Sequence, residues 1–222
     1  MTARPYIPEL LDIGSASPQE VSRALADLRR INRWLGGSGV LLGLLAAEVR
    51  RAKLERFSFL DVGAGSGDLG AAVARRFPSA RVVLCDLKPQ HFKNDALARL
   101  AASAERLPFQ DGSFDFVGAS LLLHQFRDPD VVSVLRAFGR TARRAVLIND
   151  LERHWFPLLF IRLAAPVFAR SYVTRHDAPA SIRQAFRPQE LREFARAAGF
   201  RDVVVRRHWP WFRLSLVARS YV

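Results

Sequence analysis

A chain of 222 residues, half of them apolar, is long enough to bury the core of one well-packed domain. The formal net charge of +13 would suit a nucleic acid or an anionic membrane, but the arginines run along the whole chain, which favours ordinary solvated faces. One cysteine, Cys85, leaves no pair for a disulfide or a zinc site, and the lack of an apolar signal segment at the start predicts a cytoplasmic protein.

The first 55 residues are predicted to be helical and to precede the first strand. The run Ser17-Pro18-Gln19-Glu20 combines a capping serine, proline at the first helical position and glutamate at the third. An apolar stripe at helical spacing follows, made of Val21, Leu25, Leu28, Ile31 and Leu35. The glycine pair at 36–37 ends this helix, and a second helix is expected over 40–49.

Residues 56–150 alternate between apolar runs of strand length and helical patterns. The predicted strands cover 57–62, 81–86, 113–120 and 144–149, and the predicted helices cover 68–77, 90–98 and 129–139. Such alternation is typical of an α/β fold with a parallel sheet, in which ligands bind at the carboxyl ends of the strands. The segments 63–67, 103–105 and 120–124 and the side chain of Asp86 all fall at those ends.

Residues 151–186 break this rhythm. From Trp155 to Val167 the chain is apolar except for Arg162, and the prolines at 157 and 166 interrupt it, so it is too short and too broken to span a bilayer. A buried helix pair, a surface-inserting segment and a lid over a lipophilic substrate all suit this composition. Its position directly after a strand end favours the lid.

The last part of the chain is predicted to complete the sheet. A polar loop at 175–181 precedes a helix that starts at Pro188 and closes at Gly199, and strands at 203–205 and 212–217 are expected to form an antiparallel pair. Because no repeat or linker divides the chain, we expect one domain over 1–222, in four segments: 1–55, 56–150, 151–186 and 187–222.

A glycine turn after the first strand is the strongest functional signal. Gly63, Gly65 and Gly67 separate an apolar strand from a helix. Glycine lets the backbone approach a ligand closely, and the helix N-terminus then presents unpaired N–H groups to that ligand. Asp86 ends the next strand about 20 residues on, where a ribose-binding acid belongs in a nucleotide-binding fold.

Two sequence blocks resemble those of a known family. The run from Leu60 to Asp68, Leu-Asp-Val-Gly-Ala-Gly-Ser-Gly-Asp, looks like motif I of the class I S-adenosylmethionine-dependent methyltransferases, whereas the dehydrogenase spacing needs glycine at position 68. The block from Ala104 to Val117 resembles the A-x-x-L-P-F-x-D-x-S-F-D-x-V block of the same family. The resemblance implies a Rossmann-like three-layer sandwich with a mostly parallel seven-stranded sheet, an antiparallel last strand, an N-terminal helical cover and a helical lid insertion.

The resemblance also implies S-adenosyl-L-methionine as the cofactor. Glycine backbone would approach its methionine portion, Asp61 would orient its amino group, Asp86 would bind the ribose hydroxyls and Leu87 would pack on adenine. Ser103 stands where the family usually has aspartate, which is expected to weaken or shift the adenine contact. The expected cofactor-binding residues are Asp61, Gly63, Ala64, Gly65, Gly67, Asp86, Leu87, Ser103, Ala104, Glu105 and Ser120.

Methyl transfer to a neutral hydroxyl profits from a base, and a neutral imidazole has a suitable pKa. His124, just after the fourth strand, is the first candidate, and His176 and His154 flank the apolar insertion. The candidates for orienting the acceptor are Asp150, Arg153, Tyr172 and Arg175. No metal is expected to take part.

Four flanking segments extend the resemblance to a bacterial subgroup of small-molecule methyltransferases associated with type III polyketide synthases. They are Glu9–Asp12, Asp27–Arg33, Asn149–Arg153 and Thr174–Asp177. This subgroup implies secondary metabolism and a phenolic or polyketide-derived small-molecule acceptor, methylated on oxygen. Three alternatives stay open: a C-methyltransferase of a quinone precursor with peripheral membrane contact, an RNA methyltransferase suggested only by the charge, and a nonenzymatic cofactor-binding protein.

Overall fold

A seven-stranded sheet lies at the centre of the computed structural model, which describes residues 4–13, 16–34, 37–88 and 96–221. The strands follow the order β3-β2-β1-β4-β5-β7-β6. Their bounds are β1 Phe57–Val62, β2 Ala80–Asp86, β3 Ala98–Ala101, β4 Phe114–Ser120, β5 Ala142–Leu151, β6 Phe200–His208 and β7 Arg213–Tyr221. The strands are mutually parallel except β7, which is antiparallel to both of its neighbours. The expected Rossmann-like sheet with an antiparallel last strand is thus confirmed.

Helices cover both faces of the sheet and its carboxyl edge. The helices are α1 Leu10–Ile13, α2 Pro18–Trp34, α3 Gly37–Arg51, α4 Asp68–Arg76, α5 Asp128–Thr141, α6 Trp155–Phe168, α7 Tyr172–Gln184 and α8 Pro188–Ala197. Leu41 and Val73 anchor α3 and α4 to one face, while Leu135 and Leu191 anchor α5 and α8 to the other. Helices α1, α2 and α6 all pack against α7, and α7 also contacts the 3₁₀ turn at Leu123–Gln125 that follows β4. This second group of helices therefore gathers at the carboxyl ends of the strands.

The helix predicted over 90–98 is wrong where it can be checked. Residues 89–95 lie outside the described part of the chain, and Ala98–Ala101 form the edge strand β3, paired in parallel with β2. β3 is mostly exposed and has no alternating apolar pattern. Its strand conformation comes from hydrogen bonds to β2, which local sequence does not reveal.

The polar loop predicted at 175–181 is also wrong, because these residues belong to α7. The hydroxyl of Ser171 accepts a hydrogen bond from the N–H of Val173 at 3.1 Å and caps the helix. Val173, Ala180 and Ile182 are buried, so packing against neighbouring helices outweighs the internal Pro179. Helix α6 likewise includes both prolines that were expected to interrupt it, Pro157 and Pro166. Pro157 lies in its first turn, where no N–H is needed.

Candidate active site

The carboxyl ends of the strands open into a cavity of about 1770 Å³. One side of the cavity is formed by the loops after β1, β2, β3 and β4, and it contains all but one of the cofactor residues expected from the sequence. These lining residues are Asp61, Gly63, Ala64, Gly65, Asp86, Leu87, Ser103, Ala104, Glu105 and Ser120. Gly67 is buried at the N-cap of α4, so it contributes to the conformation of the turn without lining the cavity. Single-ligand pockets occupy about 300–1,000 Å³, so this cavity has room for two ligands.

The glycine turn holds its backbone in the left-handed region. Gly63, Gly65 and Gly67 have φ values of +67°, +54° and +80°. The N–H of Gly63 donates to the carbonyl of Cys85 at 2.9 Å, which ties the turn to β2. A Cβ at Gly63 would lie 2.7 Å from Leu122, whereas a Cβ at Gly65 would meet no atom within 4 Å. Gly65 therefore faces open space beside the cavity with a backbone that favours glycine.

Asp86 faces the crevice beside Gly65, as its expected role requires. Its Oδ2 accepts the N–H of Gly65 at 2.8 Å, and its Oδ1 accepts the N–H of Lys88 at 2.8 Å. A carboxylate oxygen can accept more than one hydrogen bond. Both oxygens thus keep capacity for hydroxyl donors of a ligand.

Asp61 lies deeper, at the end of β1, where it is 1% exposed. Its Oδ2 accepts the N–H of Gly70 at 2.9 Å. Burial raises the pKa of Asp61 to about 7; the N–H of Gly70 opposes this rise, and the negative charges of Asp86 and Asp68 add to it. A buried carboxyl that titrates near neutrality beside a cavity is a candidate for a functional group.

The loop after β3 completes this side of the cavity. The hydroxyl of Ser103 accepts the N–H of Glu105 at 3.3 Å and closes a local turn. Leu87 lines the cavity edge and is 70% exposed. An apolar ring placed against it would remove that surface from water.

His124 lines the cavity between two carboxylates. Its Nδ1 lies 2.6 Å from Oδ1 of Asp150, and its Nε2 lies 3.6 Å from Oε1 of Glu9, which is long for a hydrogen bond. The backbone N–H of His124 also donates to Oδ2 of Asp150 at 3.2 Å. We refer to Glu9, His124 and Asp150 as the ion triad.

Charges decide the protonation of the triad. Burial by itself lowers the pKa of His124, but the charge and hydrogen bond of Asp150, followed by the nearby carboxylate of Glu9, raise it to about 10. Burial by itself raises the pKa values of Asp150 and Glu9. The cation of His124, together with the N–H of Leu151 at Asp150 and the side chains of Ser181 and Gln184 at Glu9, lowers both below their usual range. At neutral pH the ring is therefore an imidazolium, while the role of base expected from the sequence requires the neutral ring.

The other two histidine candidates lie outside the cavity lining. His154 is exposed at the start of α6, where its Nδ1 accepts the N–H of Phe156 at 3.2 Å. His176 is exposed on α7, and its Nδ1 lies 2.9 Å from Oδ1 of Asp177. The geometry does not bring either ring to the glycine turn.

The four residues expected to orient the acceptor are not among those that line the cavity. Asp150 is fully buried behind His124, and Arg153 forms an ion pair with Glu190. Tyr172 is half exposed, and Nε of Arg175 donates to the carbonyl of Ala169 at 3.0 Å. Of these four, Asp150 reaches the cavity indirectly, through its contact with His124.

The sequence pointed to the apolar run at 155–167 as a lid, but it assigned none of the side chains of that run to the other side of the cavity and missed the β6–β7 loop. The aromatic and apolar lining of that side comes from α6 and from the β6–β7 loop, namely Phe156, Pro157, Phe160, Ile161, Pro210, Trp211 and Phe212. Arg213 lines it too and is 1% exposed; burial lowers the pKa of its guanidinium to about 10, and the charge of Asp150 opposes that shift. Glu9 lies in one of the four flanking segments that resemble the methyltransferase subgroup, but no sequence pattern indicated that it lies close to His124.

The comparisons with known proteins agree with this geometry. Residues 59–145 match the family model of a methyltransferase domain. A demethylmenaquinone methyltransferase of Roseiflexus sp. is 27% identical over 66% of this chain and 69% of its own length. A malonyl-[acyl-carrier protein] O-methyltransferase of Geobacter sulfurreducens is 32% identical over 74% of this chain and 62% of its own length. The solved structure of the plantazolicin methyltransferase BpumL with SAH shares the fold, with a TM-score of 0.71, 10% identity and coverage of 96% of this chain and 94% of that one.

Residues 59–145 thus form a methyltransferase domain, in the Rossmann-like fold that this chain shares with a solved methyltransferase. The family match and the curated relatives support an S-adenosylmethionine-dependent methyltransferase. The residues on one side of the cavity fit that cofactor. They include Gly65, beside which there is open space that a Cβ would enter, Asp86 with its two carboxylate oxygens, and the exposed Leu87. Within the described residues there is no cluster of metal-binding side chains and no helix long and apolar enough to cross a membrane.

Proposed function

We propose that the protein methylates a small lipophilic acceptor with an ionisable hydroxyl, a phenol or a polyketide-derived ring, and that oxygen is the methylated atom. One observation carries this proposal: a single cavity joins the cofactor side to an aromatic side formed by α6 and the β6–β7 loop. Phe156, Phe160 and Trp211 offer flat apolar surfaces that suit a ring. The resemblance of the flanking segments to the subgroup associated with type III polyketide synthases supports the same acceptor class.

Two buried cations support an acceptor that reacts as its anion. The imidazolium of His124 and the guanidinium of Arg213 both line the cavity. A cation beside a phenol lowers the pKa of the phenol, and in a site shielded from water this effect is larger than in solution. We assign His124 the role of hydrogen-bond donor to the acceptor oxygen, because Glu9 lies beyond ordinary hydrogen-bond distance of Nε2. In this scheme the hydroxyl proton leaves to solvent before transfer.

The cofactor, when bound, supplies an electrophilic methyl group attached to a positively charged sulfur. The protein then has to hold the acceptor in line and keep water away, and alignment alone contributes about 7–11 kcal/mol to a well-oriented reaction. We propose the helical segment 1–55 as the cover and 151–186 as the lid of one domain, with 56–150 as its cofactor-binding core and 187–222 completing the sheet. In support, α2 contributes Leu25 and Ala26 to the lining, and α6 contributes Phe160 and Ile161.

A C-methyltransferase of a quinone precursor is the second candidate. The match to demethylmenaquinone methyltransferases favours it, since one from Roseiflexus sp. aligns over about two thirds of both chains. An ionised ring hydroxyl also activates the neighbouring ring carbon, so His124 and Arg213 would serve this reaction equally well. The two candidate reactions therefore differ in which atom of the ring, the oxygen or the neighbouring carbon, faces the methyl group. That orientation depends on the lining residues of α6 and the β6–β7 loop.

Product analysis with simple acceptors separates the two candidates. The purified protein and S-adenosylmethionine are incubated with a naphthol, an alkylresorcinol and a reduced alkylnaphthoquinone, and the products are identified by mass spectrometry and NMR. We expect a methyl ether from the phenols; a ring-methylated product from the quinol would replace this proposal with the second candidate. Calorimetry with S-adenosylhomocysteine runs in parallel, so that intact cofactor binding without transfer to any of these rings would refute the acceptor class alone.

A further inference from the structure

We infer that helix α6 and the β6–β7 loop form a docking surface for an anionic membrane, so that a lipophilic acceptor enters the cavity from the bilayer. Seven of the eleven large apolar side chains exposed in the described residues belong to these two segments. We call them the aromatic patch: Trp155, Phe156, Leu159, Phe160, Leu163, Trp209 and Trp211. Monomeric proteins rarely leave apolar side chains of this size grouped in water.

The patch is continuous. On α6 the exposed residues recur at positions 155, 159 and 163 and at 156 and 160, which is one face of the helix. The ring of Phe156 lies 6.4 Å from that of Trp209 and 5.3 Å from that of Phe212, and the rings of Trp209 and Phe212 are 4.8 Å apart. The two segments thus meet through their aromatic rings and form a single surface.

Charge around the patch favours an anionic partner. Residues 153–163 and 203–213 contain five arginines and no aspartate or glutamate. Arg162 and Arg206 are exposed beside the patch, whereas Arg153 and Arg207 are paired with Glu190 and Glu152. Each arginine near an anionic bilayer strengthens binding about fivefold.

The side-chain types favour a bilayer over a protein surface. Three of the four tryptophans of the chain, Trp155, Trp209 and Trp211, lie in the patch, and tryptophan prefers the boundary between headgroups and acyl chains. A symmetric contact between two copies would set two patches against each other, each with Arg162 and Arg206 beside it, and the two surfaces of like charge would repel. Helix α6 has a single charged side chain among its first nine residues, so its exposed face carries little charge that would have to be desolvated at a bilayer.

The patch is also the rim of the cavity. Phe156, Phe160 and Trp211 are 40–50% exposed and line the cavity at the same time. A surface held against a bilayer by Trp155 and Leu163 would place this opening next to the acyl chains. Entry of the acceptor by this route rests on the proposed function, but the docking surface itself does not.

Vesicle binding tests the surface directly. The full chain is mixed with phosphatidylcholine vesicles and with vesicles containing about 30 mol% phosphatidylglycerol, and bound protein is measured by flotation. We expect binding that is at least about tenfold stronger to the anionic vesicles, and quenching of tryptophan fluorescence by lipids brominated in the acyl chain. Equal or absent binding to both vesicle types overturns the inference.

Matched variants locate the contact. Arg162→Gln removes one charge from the patch and should weaken binding about fivefold, whereas Arg196→Gln removes one exposed charge at the far end of α8 and should not. Trp155→Ala should weaken binding about tenfold, and Trp155→Phe should restore most of it. None of these residues lines the cavity, so the affinity for S-adenosylhomocysteine is expected to stay at the wild-type value and to report correct folding.

Two further outcomes would refute the inference. Vesicle binding that Arg162→Gln and Trp155→Ala leave unchanged would place the contact elsewhere on the molecule. Light scattering that shows a dimer which Trp155→Ala dissociates, without vesicle binding, would identify the patch as an interface between copies. Vesicle binding without transfer to any phenol or quinol would contradict the proposed acceptor and leave the docking surface standing.

Discussion

The two sides of the cavity are built in different ways. The cofactor side is made largely of backbone, in which three glycines of the turn at 63–67 hold positive φ values and Asp86, on the neighbouring strand, accepts the N–H of Gly65. The acceptor side is made of side chains from segments far apart in sequence, from Glu9 before α1 to Arg213 at the start of β7. The cofactor side requires particular backbone conformations, whereas the acceptor side requires only that particular side chains lie near one another in the folded chain.

This difference has a consequence for which changes the protein tolerates. A glycine with positive φ has few substitutes, so the cofactor side depends on residue identity at single positions. The aromatic side can exchange one apolar ring for another at modest cost, which suits a fold that accepts different acceptors. Between the two sides lies the ion triad, and it is the part of the cavity where a single substitution should cost most.

The largest effect is expected from His124→Ala. It leaves the carboxylates of Asp150 and Glu9 buried without their cation, which should lower the free energy of unfolding by about 3–5 kcal/mol in urea denaturation. His208→Ala is the control, because that partly buried ring bonds to the hydroxyl of Ser215 at 2.8 Å and should cost about 1 kcal/mol. If the two variants lost the same stability, the charged triad would be disproved.

The pH dependence of stability tests the same triad. The pKa of His124 is raised from 6.5 to about 10, so its contribution to stability is complete below about pH 6.5 and is lost as the pH rises through about 10. The lowered pKa values of Glu9 and Asp150 give contributions that are present above their unfolded values and are lost in acid. The free energy of unfolding should change more between pH 6.5 and pH 10 in the wild type than in His124→Ala. An equal change in the two proteins would argue against an imidazolium at this site.

Gly65→Val comes next and should affect the cofactor side alone. The side chain would enter the open space at Gly65 and strain a backbone with φ of +54°, so the affinity for S-adenosylhomocysteine should fall about a hundredfold in calorimetry. Gly112→Val is the matched control, since Gly112 has φ of +66° and open surroundings but does not line the cavity. It should lose comparable stability and keep its affinity; equal loss of affinity in both would mean that strain, rather than contact, is being measured.

The sequence predicts the cofactor side well for a physical reason. The strand, the turn, the helix and the next strand follow one another directly in sequence. Spacing is therefore enough to assign Gly63, Gly65 and Asp86 to one edge of the sheet, and all three line the cavity. Gly67 is the exception, because it shapes the turn without reaching the cavity. Local patterns are sufficient where the local backbone itself forms the site.

The acceptor side could not be predicted in the same way. Asp177 was expected in a polar loop, yet it lies on α7 and accepts the N–H groups of Leu10 and Leu11 at 2.9 and 3.1 Å, thereby capping α1. The contact between Glu9 and His124 depends on this packing of α1 against α7. Periodicity describes single elements and carries no information about which helices meet. The sequence therefore indicated the lid at 155–167 as a segment, but it could not assign the triad, the lining side chains of α6 or the β6–β7 loop.

Asp86→Asn should have a smaller effect than Gly65→Val. The amide keeps one acceptor oxygen but removes the charge and one of the hydrogen bonds to the N–H groups of Gly65 and Lys88, so the affinity for S-adenosylhomocysteine should fall about tenfold. Asp111→Asn, an exposed aspartate paired with Arg140 away from the cavity, serves as the control and should bind normally. Wild-type affinity in Asp86→Asn would show that the ribose is held by other groups.

Phe160→Ala should have the smallest effect on the cavity, where it should change the acceptor side and leave the cofactor side intact. Phe160 is 50% exposed and lines the cavity, so its truncation should raise KM for a water-soluble naphthol about fivefold and leave cofactor affinity unchanged. Leu159 is its matched control, because it is 49% exposed on the same helix and does not line the cavity. Leu159→Ala should keep KM for the naphthol while weakening vesicle binding. A rise in KM for both variants would mean that α6 residues outside the cavity lining also affect acceptor binding. The distinction between lining and non-lining residues of α6 would then be refuted.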